Sequence, residues 1–276
     1  MTSAAPVVSV LMAVYNGAPW VRDAVDSVLG QSLSDLELIV IDDASTDATP
    51  TLLASVHDTR LRVDRSSARR GLSASLAAAW TIARAPLIAR LDADDISVPD
   101  RLARQQAFLS SHPEVGLLGG AAREIDALGR PLGLVEPPRD DLTLRRALIR
   151  QNPFVHSTVM MRRSAAEAVG GYDARREVAQ DYDLWMRMSR VTRLANLPDV
   201  LVVRRRLPGA IGVARDDERL RTEIAVRWRE LRTGRYPLWT AVFVARPALA
   251  LMLPRRLRSA LRGLRPGQTP QRSGAG

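Results

Sequence analysis

The sequence predicts an α/β protein, a sheet of parallel strands joined by helices through right-handed crossovers, with a helical and basic C-terminal extension. Three observations carry this. Short apolar runs rich in β-branched residues alternate with helical stretches of about 10 to 14 residues through the first half. Two of those runs end in clustered carboxylates, Ile41-Asp42-Asp43 and Leu91-Asp92-Ala93-Asp94-Asp95, and in an open parallel sheet the carboxyl edge is where ligands bind. The charge is also unevenly placed. From residue 201 onward there are 17 arginines against 5 acids, an excess of +12 that leaves the first 200 residues near −2 within a whole-chain +10.

Composition narrows the chemistry. A chain of 276 residues with 46% apolar content can bury a sizeable core, as one large domain or a domain with an appendage. There is no cysteine, which excludes disulfides and thiolate metal sites, and His57, His112 and His156 are too scattered for a histidine zinc site. Basicity confined to the C-terminal region argues against nucleic acid as a partner of the main domain. No basic stretch precedes an apolar segment at the start, so a secretory signal is not expected. The catalytic part is expected to be cytoplasmic, either free or peripheral at the cytoplasmic face of the membrane.

Taken in order, Pro6 to Val14 reads as a strand broken by Tyr15-Asn16-Gly17. Trp20 to Leu29 carries a helical apolar stripe. Leu36 to Ile41 is a second buried strand ending on Asp42-Asp43. Ala44 to Asp47 then opens a helix to about Val56, with Ser45 or Thr46 as N-cap and Asp47 as a capping charge. Leu61-Arg62-Val63 is a short strand, Leu72 to Arg84 an Ala-rich helix, and Ala85 to Ala89 a buried strand leading to Asp92. A helix follows from near Pro99 to His112. Val115 to Gly120 and Pro153 to Met161 read as further strands, Gly170-Gly171-Tyr172-Asp173 as a turn, and Gln180 as the opening of a helix.

The acid clusters point to a cation. Carboxylates packed on a buried edge repel one another, and Mg²⁺ or Mn²⁺ takes carboxylate oxygens while sharing its remaining positions with substrate phosphates. The same residues also read as an Asp-rich turn capping the next helix. No G-x-G-x-x-G or G-x-x-x-x-G-K-[ST] stretch occurs, so any nucleotide would be held by the acidic edge. Asp42-Asp43 could accept hydrogen bonds from a base or ribose, or serve as a turn and cap.

Beyond Gly212 the character changes. Arg215 to Thr233 is a charged helix, Tyr236 to Ala245 is strongly apolar, Arg246-Pro247 interrupts it, and Ala248 to Leu253 resumes. Each apolar piece is shorter than the roughly 20 residues that span a bilayer. Arg255, Arg256, Arg258, Arg262 and Arg265 follow at once. This pattern suits an anionic membrane surface as partner, and it suits equally a helix packed on the main domain. Residues 266–276 are rich in Gly, Pro, Ser and Gln and are expected to be disordered.

Together these motifs resemble the family-2 glycosyltransferases. Val8 to Asn16 is similar to the family's opening strand, Ile41 to Asp47 to its nucleotide loop, Leu91 to Asp95 with Pro99-Asp100-Arg101-Leu102 to its D-x-D segment, and Gln180-Asp181-Tyr182-Asp183-Leu184-Trp185 to its E-D-Y-D-L-W segment. The resemblance implies a GT-A fold, a Rossmann-like mixed sheet flanked by helices, over residues 1–212. It leaves 213–265 as the helical basic region and 266–276 as the tail. It implies an inverting, metal-dependent transfer from a nucleotide-diphosphate sugar donor to a glycan or lipid-linked acceptor, in cell-surface glycan or polysaccharide biosynthesis. Asp43 matches the nucleobase contact, Asp94 and Asp95 the ribose and metal contacts, and Asp181 the catalytic base. Donor binding would further use Ala13, Tyr15, Asn16, Arg70, Asp92 and Arg205, and the acceptor side His156, Asp183 and Trp185. His156 reads equally as a hydrogen-bonded core residue, and Asp181 as a charge answering a helix dipole. Asp183 lies two positions on, about 200° around the helix.

The sequence departs from the pattern in places. Gln180 stands where the family commonly has Glu, Ala77 and Ala79 replace Asn and Gly, and Arg204 to Gly212 carries no His. Arg205 can still neutralise a leaving diphosphate. The alternatives are a nucleotidyltransferase on the same acidic edge, which lacks the basic Gly-rich loop such an enzyme needs, and a non-catalytic nucleotide-sugar binding module.

Overall fold

Two compact units make up the chain, Met1–Arg215 and Asp216–Gly276, in a computed structural model that describes residues 5–207 and 215–252. In the first unit, β1 (Val8–Val14), β2 (Leu36–Asp42), β3 (Leu61–Arg65) and β4 (Leu87–Arg90) are parallel and lie in the order β3-β2-β1-β4. Helices α1 (Val21–Leu29), α2 (Thr49–Ala54) and α3 (Leu72–Ile82) make the crossovers. Every residue of β2 is buried, and so is β1 except at Ala13. Burial on both faces is why these strands read as unbroken apolar runs.

The rest of the sheet is mixed. β4 pairs antiparallel with β8 (Met160–Arg162), β8 antiparallel with β6 (Val115–Ile125), and β6 parallel with β9 (Arg193–Arg205). β5 (Ile96–Ser97) closes the order beside β9, and β7 (Pro131–Val135) forms a hairpin with β6, giving a nine-stranded sheet among the described residues. Helices α4 (Arg101–Ser111), α5 (Asp141–Leu148), α6 (Arg163–Glu167) and α7 (Gln180–Met188) complete the unit.

Several elements differ from the sequence reading. α2 opens at Thr49, not near Ala44, because Ser45 and Thr46 are engaged by the loop after β1. The Asn16 amide donates to Ser45 Oγ at 2.9 Å, and the Thr46 amide donates to Asn16 Oδ1 at 2.9 Å. The N-cap is Ala48, with no side-chain capping bond, and Asp47 Oδ1 accepts the Thr49 amide at 3.0 Å in the turn ahead of the helix. Residues 153–159 form no strand, and His156–Thr158 is instead a 3-10 turn that brings its side chains onto the carboxyl edge of β4. β9 is not legible in the sequence, since Asn196, Pro198 and Asp199 break its apolar run. The sheet absorbs them with register shifts against β6 between Gly120 and Ala122, as bulges do.

The second unit is a helical pair, α8 (Asp216–Arg232) and α9 (Val242–Met252), joined through a 3-10 turn at Leu238–Ala241. Arg246-Pro247 does not interrupt α9, which runs through Pro247. Proline lacks the amide that would bond the carbonyl four residues earlier. That carbonyl, on Phe243, accepts instead from Arg227 Nη1 of α8 at 3.0 Å, and Arg227 is itself ion-paired with Glu223 at 2.9 Å. The basic cluster from Arg255 to Arg265 and the tail lie outside the described residues.

Candidate active site

Loops after β1, β2, β3 and β4 meet at the carboxyl edge of the parallel half. Asp43, buried at 4% exposure, ties two of them together. Its Oδ1 accepts from the Arg70 amide and its Oδ2 from the Gly71 amide, both at 2.8 Å. Gly71 adopts φ +89°, a left-handed backbone that glycine takes without steric cost. Ala13, the half-exposed residue of β1, lies just before Tyr15, whose ring is covered by the Arg69 guanidinium at 4.0 Å. Asn16 reaches its bracing position at φ +51°.

The three carboxylates of Asp92, Asp94 and Asp95 offer oxygens that all lie within 4.8 Å of one another. They are not equivalent. Asp92 is pinned by Arg90 Nη2 on Oδ1 and by Ser157 Oγ on Oδ2 at 2.8 Å. Although burial opposes it, the Arg90 charge holds the Asp92 carboxyl below the usual carboxylate range. Asp94 is pushed up to about 6 and Asp95 to about 7, in both cases by burial first and the Asp92 charge second. Asp95 Oδ1 accepts the Arg205 amide at 2.8 Å, while its Oδ2 is buried without a hydrogen-bond partner. A crowded all-oxygen set with an orphaned buried acceptor and raised protonation is short of positive charge. Mg²⁺ or Mn²⁺ fits that deficit.

This imbalance predicts a pH signature. A carboxyl whose folded pKa lies above its unfolded value favours the folded state below about pH 4 and loses that contribution as pH rises toward 7. A bound cation requires the deprotonated form. The gain in melting temperature on adding Mn²⁺ should therefore be larger at about pH 8 than at about pH 5. Equal gains at both, read by differential scanning fluorimetry, would show that these acids are not the cation's ligands.

Beneath the acids lie two buried arginines that the sequence reading does not single out as site residues. Arg90 also donates to Ser157 Oγ at 3.1 Å. Arg101 donates to the Arg90 carbonyl at 2.8 Å and the Val159 carbonyl at 3.1 Å, and burial beside Arg90 pushes its guanidinium down to about 9. A signal existed for Arg90. A charged residue ending a buried apolar strand needs a partner, and residue i+2 lies on the same face.

Asp181 opens α7 half-buried, with Asn152 Nδ2 donating to its Oδ2 at 2.7 Å. Burial raises its carboxyl, and it lies close enough to feel the charges of Arg90 and Asp92. His156 Nε2 shares a 2.9 Å hydrogen bond with the Tyr172 hydroxyl, and burial and Arg90 hold the imidazole neutral, well below its usual value. Arg205 lies against the acid loop, its Nε donating to the Asp94 carbonyl at 3.2 Å and its guanidinium 5.9 Å from the Trp20 ring.

Two residues expected on the acceptor side are turned inward. Trp185 is fully buried, between Phe154 and His156 with ring centroids 6.0 Å away. Asp183 is buried in ion pairs with Arg187 at 2.8 Å and Arg176 at 3.5 Å, which anchor α7. The helical turn separating it from Asp181 points it into the protein. Asn152, Ser157 and Tyr172 complete the site, and no motif at the sequence level distinguishes them.

Comparison with known proteins gives the family and the fold. Residues 9–170 match the family model for glycosyl transferase family 2. EpsE of Bacillus subtilis, assigned as a glycosyltransferase, is 31% identical over 255 residues, 90% of this chain and 90% of its own. The amylovoran biosynthesis glycosyltransferase AmsE of Erwinia amylovora is 31% identical over 201 residues, 70% of this chain and 74% of its own. Among solved structures, the mannosyltransferase PcManGT from Pyrobaculum calidifontis, in complex with GDP-Man and Mn²⁺, matches with a TM-score of 0.64 at 22% identity, over 95% of this chain and 79% of that one. That likeness is one of fold, a GT-A mixed sheet flanked by helices. On the family model and on the near full-length match to EpsE, the chain belongs to glycosyl transferase family 2.

Proposed function

We propose that the protein transfers a sugar from a nucleotide-diphosphate sugar to an acceptor hydroxyl, with inversion at the anomeric carbon, in the synthesis of a polysaccharide or cell-surface glycan. The observation that carries this reading is the Asp92–Asp94–Asp95 cluster, whose carboxylate oxygens lie within 4.8 Å of one another, with the half-buried Asp181 near enough for its carboxyl to feel the Asp92 charge. In-line displacement needs charge stabilisation on the leaving diphosphate and a proton acceptor on the opposite side. Asp94 and Asp95 would hold a divalent cation, and when bound it supplies Lewis-acid stabilisation of the departing nucleotide diphosphate. Arg205 adds a fixed positive charge beside that loop.

Asp43 would meet the base, since each of its oxygens keeps a lone pair beyond the amide bonds it accepts. Asn16, Tyr15 and Ala13 would line the same side, and Arg70 follows the Asp43-held loop. Asp92, locked by Arg90 and Ser157, would accept from a donor hydroxyl without shifting. Asp181 takes the acceptor proton, and neutral His156, fixed by Tyr172, borders the acceptor. The donor class has support in a fold relative that holds GDP-Man with Mn²⁺, and the biosynthetic setting in AmsE. A glycan or lipid-linked sugar is the acceptor this reading requires.

The test is a panel of nucleotide sugars incubated with the purified protein and Mn²⁺ or Mg²⁺ and followed by mass spectrometry. Release of nucleoside diphosphate from one donor is the expected result. Diphosphate release from none of them, or pyrophosphate release from a nucleoside triphosphate, would overturn it.

A further inference from the structure

The C-terminal unit carries an outward apolar stripe that its own fold does not cover. Leu238, Trp239, Leu249 and Met252 are exposed at 85%, 62%, 62% and 81%, and Val242 lies between them at 46%. Val242, Leu249 and Met252 follow the spacing of one helical face, and Leu238 extends it into the preceding turn. The side of α9 toward α8 is fixed by the bond from Arg227 to the Phe243 carbonyl and by buried Pro247. The exposed stripe is therefore the free side of the pair. Burial would be worth most for these residues, so a surface must be found that they can enter.

Charge selects that surface. Residues 231–276 contain nine arginines and no acid, with Arg232, Arg235 and Arg246 exposed beside the stripe. A second copy would bring the same charge against it, which opposes self-association. An anionic bilayer supplies both an apolar layer and the opposite charge. No described helix is long and apolar enough to cross a membrane.

We propose that the Leu238–Met252 segment docks in the headgroup layer of an anionic phospholipid membrane, its exposed stripe entering the acyl boundary and the flanking arginines meeting the lipid phosphates. The proposal stands independently of the transfer reaction. Flotation of the full chain with vesicles tests it. The protein should float with mixed phosphatidylcholine–phosphatidylglycerol vesicles at low salt and remain behind with phosphatidylcholine alone. The double variant Trp239→Ser, Leu249→Ser should lose at least about tenfold in partitioning, given the apolar area withdrawn. Its melting temperature should be unchanged, because both side chains are exposed. Leu238→Ser with Met252→Ser provides a second, separate removal and should give the same loss. Failure of the parent to float with anionic vesicles overturns the proposal. So does equal flotation of parent and both variants, which would assign binding to charge alone. A parent that is dimeric in light scattering, becomes monomeric in the variants and binds no vesicle would overturn it in favour of a second copy.

Discussion

Replacing Asp181 by Asn lowers turnover at saturating donor by about 10²–10⁴-fold and leaves donor affinity nearly unchanged. An acceptor hydroxyl has a high pKa, so the proton must leave as the new bond forms. Among the acids near α7, Asp183 is neutralised by Arg176 and Arg187, and Asp173 pairs with Arg175 at 3.0 Å. Asp181 instead meets the neutral amide of Asn152 and is raised by burial, which strengthens it as a base. Asparagine keeps the shape and the Asn152 contact but accepts no proton. Initial rates with a matched donor and acceptor, alongside donor titration, separate the two effects. A variant retaining turnover within about tenfold of the parent would move the base elsewhere, with Asp173 and Asp183 next to be replaced.

The double change Asp94→Asn, Asp95→Asn is expected to weaken Mn²⁺-dependent donor binding by more than about 100-fold while the fold survives. Both groups are strained by burial and by Asp92, so neutral amides relieve repulsion in the cation-free protein. An asparagine in place of Asp95 keeps a side-chain oxygen that can still accept the Arg205 amide. The variant should therefore unfold no earlier than the parent when no cation is present at about pH 8. Calorimetry with Mn²⁺ reads the binding, and a parental affinity in the double variant would remove these residues from the cation site.

Legibility in the sequence followed local physics. β1, β2 and β4 were readable because burial on both faces gives an unbroken apolar run, and the carboxylates that follow β2 and β4 announced the site. β9 was not readable, since its pairing with β6 is set by long-range register that tolerates Pro198 and Asp199. The donor-side acids were visible as clusters. Their partners were not: Ser157, which holds Asp92, and Asn152, which holds Asp181, arrive from a 3-10 turn and a loop, where neither spacing nor composition marks a partner. That Trp185 and Asp183 are buried was hidden for the same reason, because the E-D-Y-D-L-W-like segment shows which residues are adjacent in the chain and not which way the helix turns them.

The 3-10 turn at His156–Thr158 has a consequence for how this architecture can diversify. Ser157 holds Asp92, while its neighbour His156 contacts Tyr172 on the opposite bank. The loops after β1 and β2 are braced to each other through Asn16, Ser45 and Thr46, and to the loop after β3 through Asp43. Exchanging the segment after residue 162, which carries Tyr172 and Asp181, would leave all of these loop braces intact. A crossover inside residues 153–162 would separate the turn from the residues it holds, Asp92 on one side and Tyr172 on the other. Recombination breakpoints in working chimeras should avoid it.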